Sequence, residues 1–284
     1  MAVGDKTCYE YTALVPVYAK DRPEWLELAL TSLSNQTVPP THWVVVADGP
    51  LTPELDRLLD SYSKQENFHV CRIASNVGLG RALAVGVENC ATELIARLDA
   101  DDYAVETRCA TQLEYLNRHP EVAAVGTNVV EFIDTLDRVV SEVKLPTTHD
   151  EILPYAKRRN PMRHPALMYR KSAVVAAGNY RDFRYGQDYD LVVRLLMSGA
   201  RLSNLNENLT YMRVGEDFYR RRGGWKYLKA ILKLKREFVR YRFYSYSDFV
   251  VAALGHAVII LIPTSARECI YRRVLRRSGR KVIR

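Results

Sequence analysis

Residues 93–105 read ELIARLDADDYAV: an apolar run that ends on three carboxylates, Asp99, Asp101 and Asp102. The run has the length and composition of a buried strand. Like charges this close repel, so the cluster is either a solvated turn or the place where a positive charge is meant to sit.

Upstream, the same alternation recurs. YTALVPVY (Tyr11 to Tyr18) is a short apolar strand, and Leu26, Ala29, Leu30 and Leu33 follow at helical spacing. WVVVAD (Trp43 to Asp48) is a second strand, followed after Pro53 by Leu55, Leu58, Leu59 and Tyr62 on one helical face. VCRI is a third, with Leu79, Leu83 and Val87 lining the next helix, and ELIARL is the fourth. Strand–helix alternation with short connections predicts an α/β fold with a Rossmann-like, mostly parallel sheet flanked by helices on both faces. Ligands bind such sheets at the carboxyl ends of the strands. Pro16-Val17-Tyr18, Asp48, Asn76 with Arg81, and the acidic cluster all fall there. A lone Asp after a strand is more often a turn or helix cap, so it is their convergence that points to a site.

Beyond Tyr103 the pattern loosens. VAAVGTNVVEFI and VVSEVKL read as strands, HDEILPYAKR as a helix, and Asp188 opens a helix whose Leu191, Leu195 and Leu196 face inward. Residues 1–212 read as one domain with halves meeting near residue 103, and residues 213–284 as a basic helical appendage.

In an extended segment, residues two apart project to one side, which lets Asp99 and Asp101 face one ligand together. Paired hard-oxygen donors suit Mg²⁺ or Mn²⁺, ions that commonly also hold substrate phosphates. On spacing alone, a solvated acidic turn stands equally well. Phosphatases of the haloacid dehalogenase type also place Asp-x-Asp after a strand. They expect it near the first strand, with Thr or Val two residues after the second Asp, and this chain has neither feature.

Six stretches in register carry more weight: ALVPVY, VVVADGP, NVGLGRALAVGVENC, ARLDADD, HPALMYRKSAVVAAGNYRDF and GQDYDLVVRLLMSG. Together, across residues 9–222, they resemble family 2 glycosyltransferases of the GT-A fold, most of all the amylovoran-type enzymes of bacterial exopolysaccharide, capsule and O-antigen assembly. The resemblance implies an inverting transferase. It would move a hexose from a nucleotide diphosphate sugar, UDP-galactose or UDP-glucose by preference, to a polyprenyl-linked oligosaccharide. A dTDP-linked deoxyhexose such as rhamnose is the alternative donor, and a non-catalytic nucleotide-sugar-binding or scaffold member the alternative role. The resemblance also implies nucleotide contacts from Pro16, Val17, Tyr18, Asp48, Asn76, Arg81, Asp99 and Ala100, with Asp48 at the uracil. Asp99 and Asp101 would hold Mn²⁺ or Mg²⁺, and Asp188 would be the general base. Two departures stand out: Gln187 replaces the usual Glu before the base, and Asn179 replaces one Gly of a Gly-Gly-Tyr. The Gln removes a nearby negative charge and with it some of the base strength expected of Asp188.

His164 is a candidate phosphate, metal or acceptor contact, although a structural histidine before a proline is the more ordinary reading. Arg220, Arg221 and Arg222 are candidate diphosphate contacts, against a rival reading as surface charge. Tyr103, Tyr180 and Tyr185 read first as packing residues.

Net charge is +8, yet residues 213–284 hold 19 Lys/Arg against 5 Asp/Glu. In WKYLKAILKLKREFVRYRFY, Trp225, Leu228, Ile231, Leu232, Phe238 and Val239 approximate one face, which suits a membrane interface. The apolar stretch from Phe249 to Ile262 is too short for a transmembrane span, which needs about 18 to 20 residues. Arg267, Arg272, Arg273, Arg276, Arg277, Arg280, Lys281 and Arg284 follow. The expectation is peripheral attachment to an anionic membrane surface on the cytoplasmic side. The alternative is burial of these faces against the catalytic body or a second subunit of a homo-oligomer. No nucleic-acid motif accompanies the charge. Cys8, Cys71, Cys90, Cys109 and Cys269 form no Cys-x-x-Cys pair, and the amino terminus lacks the pattern of a signal peptide.

Overall fold

The computed structural model describes residues 10–215 and 224–261. A nine-stranded sheet runs through it. β1 (Tyr11–Val17), β2 (His42–Asp48), β3 (Phe68–Ile73) and β4 (Leu94–Arg97) lie parallel in the order β3-β2-β1-β4. The chain crosses between them through α1 (Pro23–Ser34), α2 (Pro53–Tyr62) and α3 (Leu79–Asn89). β1 is buried along its whole length. Its alternate residues feed two cores, with Leu14 facing α3 and Ala13 and Val15 facing α1. That is the period of two expected of a strand covered on both faces.

The second half adds β5 (Tyr103–Ala104), α4 (Arg108–Arg118), β6 (Val122–Phe132), β7 (Val139–Val143), α5 (His149–Ala156), β8 (Met168–Arg170) and α6 (Lys171–Ala176). α7 (Gln187–Met197) and β9 (Arg201–Arg213) follow. β8 is antiparallel to β4 and β6, while β6 and β9 pair in parallel. The sheet is thus parallel where the first four strands lie and mixed beyond them. The strand order reverses between β1 and β4, with β2 and β3 added on one side of β1 and β4 on the other, which leaves a crevice at their carboxyl ends, and the residues described below meet there.

Of the helical residues expected inside, Leu79 differs: it is exposed at the crevice mouth, while Leu83 and Val87 are buried. It opens α3 and is therefore still above the sheet edge.

The chain ends its described part in α8 (Gly224–Arg240) and α9 (Tyr246–Leu261). The apolar face of α8, expected at a membrane interface, is buried against the body. Leu234 and Phe238 join the core that α3 and α7 share, and Leu228 and Ile231 are buried beside them. Either a membrane or a protein core satisfies such a stripe. Here Gly186 (φ 78°) provides the fit, since a Cβ there would lie 2.5 Å from Leu234. Trp225, expected on the same face, is 68% exposed.

α8 also buries Lys235, whose Nζ lies 3.5 Å from the Tyr244 hydroxyl and 5.3 Å from that ring's centroid. Burial pushes its pKa down to about 8, against about 10.4 in an unfolded chain. Between those values the unfolded chain binds more protons, so stability climbs with pH across that window, and below it the full penalty is present. Lys235→Met is therefore expected to stabilise the fold by about 2 kcal/mol at neutral pH, with the gain shrinking as pH approaches 10. Urea unfolding at both pH values checks this, and an equal gain at the two would refute it.

Candidate active site

A cavity of about 310 Å³ opens at the ends of β1, β2 and β4. One wall is Pro16, Val17 and Tyr18, and Asp21 closes the turn, its Oδ2 accepting the Tyr18 backbone N–H at 2.9 Å. Asp48 lies on the opposite side and is buried. Its carboxylate accepts hydrogen bonds from the backbone N–H groups of Val77 (2.7 Å) and Gly78 (3.0 Å) and from Asn76 Nδ2 (3.0 Å). Asp48 thus fastens the loop between β3 and α3 across the crevice. Gly49 (φ 88°) permits the approach, because a Cβ there would stand 2.7 Å from the Asn76 nitrogen.

The acidic cluster forms the floor. The segment after β4 is not extended, as the two-residue spacing suggested, but a turn in which the Asp102 N–H bonds the Asp99 carbonyl at 3.3 Å. The turn brings in Asp102 as well, and oxygens of Asp99, Asp101 and Asp102 lie within 4.8 Å of one another. Their charges are handled differently. Arg97, fully buried at the end of β4, grips both oxygens of Asp99, with Nη1 2.8 Å from Oδ2. Among the described residues Asp101 has no such partner, and burial together with neighbouring Asp99 raises its pKa to about 6. Asp102 is 1% exposed; its Oδ1 accepts the Arg213 backbone N–H at 2.7 Å while its Oδ2 is buried with no hydrogen-bond partner among the described residues. Burial and the other two acids push Asp102 well above the usual carboxylate range. Arg213 in turn is held between the rings of Trp25 and Phe132, each 4.5 Å away, and donates to the Asp101 carbonyl at 3.0 Å. A cluster of hard oxygens carrying uncompensated negative charge, one of them an orphan, fits a small divalent cation.

Asp188 sits in the first turn of α7, partly exposed, and its Oδ2 accepts a hydrogen bond from Asn160 Nδ2 at 2.8 Å. Burial pushes the Tyr180 phenol up, with Arg97 opposing and the charges of Asp188 and Asp99 adding to the rise; Asp188 itself is not among the residues lining the cavity. His164 stands behind Tyr180, Nε2 2.9 Å from the hydroxyl. Burial, aided by Arg97, pushes its pKa well down, so the imidazole is neutral. It does not line the cavity. Gln187 is buried with its Cβ beside Gly80. Asn179 (φ 54°) takes the left-handed turn that a glycine would, a conformation Asn tolerates better than most residues.

The structure therefore gathers Pro16, Val17, Tyr18, Asp48, Asn76, Asp99, Ala100 and Asp101 around one cavity. Arg81 is not among them: it is exposed and paired with Asp182 at 3.0 Å. Arg220, Arg221 and Arg222 lie outside the described residues. Sequence reasoning missed Arg97, Asn160 and Arg213. Arg97 had left a signal, since a cation inside an apolar strand demands a buried counter-charge.

Comparison with known proteins bears on the family and the fold. The family model described as Glycosyl transferase family 2 matches residues 12–175. The UDP-Gal:alpha-D-GlcNAc-diphosphoundecaprenol beta-1,3-galactosyltransferase of Escherichia coli is 32% identical, over 94% of this chain and 97% of its own. The amylovoran biosynthesis glycosyltransferase AmsE of Erwinia amylovora is 33% identical, over 80% of this chain and 84% of its own. Among solved structures, S. aureus TarS 1-349 in complex with UDP superposes with a TM-score of 0.59 at 17% identity, covering 94% of this chain and 87% of that one.

Proposed function

The chain belongs to glycosyl transferase family 2, and from that premise we propose that it moves a hexose from a UDP-sugar to a polyprenyl-diphosphate-linked acceptor in surface polysaccharide assembly. UDP-galactose is the preferred donor, as in the Escherichia coli relative's name. UDP-glucose and a dTDP-linked deoxyhexose are the donors to test against it. The observation that carries the reading is one crevice lined by Asp48, the Pro16–Tyr18 turn and Asp99 and Asp101 of the acidic floor; Asp188 opens α7 with one oxygen held by Asn160.

In this reading the nucleoside occupies the crevice between the Pro16–Tyr18 turn and the Asp48-braced loop. The diphosphate reaches the floor. Asp101 and Asp102, beside the Arg97-compensated Asp99, are the residues that would hold Mn²⁺ or Mg²⁺. Such a cation supplies neutralisation of the charge that gathers on the departing nucleoside diphosphate. Asn160 fixes one oxygen of Asp188, which leaves the other to take the proton of the acceptor hydroxyl as that oxygen bonds to the anomeric carbon. The bond from that carbon to the diphosphate breaks on the opposite face, so the configuration inverts. The lipid of the acceptor places the reaction at the cytoplasmic face of a membrane.

A donor panel with Mn²⁺ or Mg²⁺ and a polyprenyl-diphosphate-GlcNAc acceptor analogue, read as nucleotide release, tests this. Acceptor-dependent UDP release from UDP-galactose is the expected outcome. Release from the dTDP donor alone would overturn the donor assignment, and release from none would leave the non-catalytic role standing.

A further inference from the structure

Once the inner face of α8 is committed to the core, what its outer face presents becomes informative. Lys226, Lys229, Lys233, Arg236 and Arg240 are all exposed, at alternating intervals of three and four residues. That spacing makes one cationic ridge about 20 Å long. Among the described residues, only Arg240 in this ridge pairs with a carboxylate, Glu237 at 3.0 Å. α9, packed against α8, exposes the opposite chemistry. Tyr246 (82% exposed), Val250 and Leu254 (62%) recur every fourth residue, with Val251 exposed beside them. No described helix is long and apolar enough to cross a membrane.

We infer that the α8 cationic ridge and the α9 apolar ridge form a docking surface for an anionic lipid bilayer, with α9 lying in the interface and α8 meeting the phosphodiester headgroups. This deepens the proposed function by naming the surface at which its lipid-linked acceptor is met. Charge and polarity select the occupant. A bilayer offers phosphates for Lys229, Lys233 and Arg236 and acyl chains for Val250, Val251 and Leu254. Nucleic acid would satisfy the first set and leave the aliphatic ridge in water. A second copy docked through the same ridges would set cation against cation. The sequence beyond α9 continues the charge with Arg267, Arg272 and Arg273.

The test is co-sedimentation of the full chain with phosphatidylglycerol/phosphatidylcholine vesicles and with phosphatidylcholine vesicles alone. Two variants are compared: Lys229→Gln/Lys233→Gln/Arg236→Gln and Val250→Ser/Val251→Ser/Leu254→Ser. The wild type is expected to bind the anionic vesicles, less so as salt rises. The charge variant should lose about 100-fold in partition coefficient and the apolar variant about 10-fold or more. Unchanged melting temperatures exclude misfolding. Wild-type protein that ignores anionic vesicles, or variants that bind as the wild type does, would overturn the inference. So would an apolar variant that turns a dimer into a monomer without changing vesicle binding, since the ridge would then belong to a second copy. Transfer from UDP-galactose to a short-chain, water-soluble acceptor should be the same in all three proteins. Absence of that transfer defeats the functional reading whatever the vesicles show, and its presence without vesicle binding defeats only the docking surface.

Discussion

Asp188→Asn is expected to lower kcat about 1,000-fold while leaving the KM for the UDP-sugar within about twofold. The substitution keeps size and shape, and Asn160 Nδ2 still finds an oxygen at the position it now bonds at 2.8 Å. What disappears is the capacity to take a proton from the acceptor hydroxyl. In the proposed reading donor binding is made elsewhere, by the Pro16–Tyr18 turn and the Asp48-braced loop, which line the cavity, so a loss confined to turnover is the signature of a base. Steady-state kinetics with both substrates varied provides the check. A variant retaining more than a tenth of wild-type kcat would remove Asp188 from that role. The same measurement bears on Gln187, which puts an uncharged amide where a second acid beside the base was expected.

Asp101→Asn should be about as damaging, for a different reason. Asp99 is already neutralised by Arg97, and Asp102 spends one oxygen on the Arg213 N–H. Asp101 therefore contributes the largest share of uncompensated charge that a divalent cation would meet at the cavity floor. Its loss is expected to cut turnover about 1,000-fold, and chelation by EDTA should silence the wild type reversibly. A readout independent of turnover is thermal: Mn²⁺ should raise the wild-type melting temperature, as any ligand of the native state does, and raise that of the variant little. Turnover unaffected by chelation, or equal stabilisation of both proteins by Mn²⁺, would show that the floor holds no cation.

The strands of the first half were legible because each is a short apolar run ended by a polar residue, and burial of β1 along its length left little else possible. The carboxyl-end residues followed from that order alone. Side-chain contacts across distant segments were not legible. Asn160 meets Asp188 from a loop 28 residues upstream, and His164 Nε2 lies 2.9 Å from the hydroxyl of Tyr180, 16 residues further along the chain. Spacing placed Asp99 and Asp101 together for an inexact reason: the segment turns, and the turn adds Asp102. The family resemblance implied a nucleotide contact for Arg81, and the structure shows it exposed and facing Asp182 across the surface. The amphipathic pattern of α8 was equally ambiguous, since an apolar stripe describes a core-facing and a membrane-facing helix alike. The choice rested on whether a complementary groove existed, and Gly186 supplies it.

The most direct test of the account is the anomeric configuration of the product, read by NMR from a reaction of UDP-galactose with the polyprenyl-diphosphate-GlcNAc analogue. A single displacement assisted by Asp188 from the face opposite the diphosphate turns the α-linked donor sugar into a β-galactoside, and that is the expected result. An α-linked product would contradict it, because the sugar would then have kept its configuration and a base on the opposite face would have no part in the chemistry.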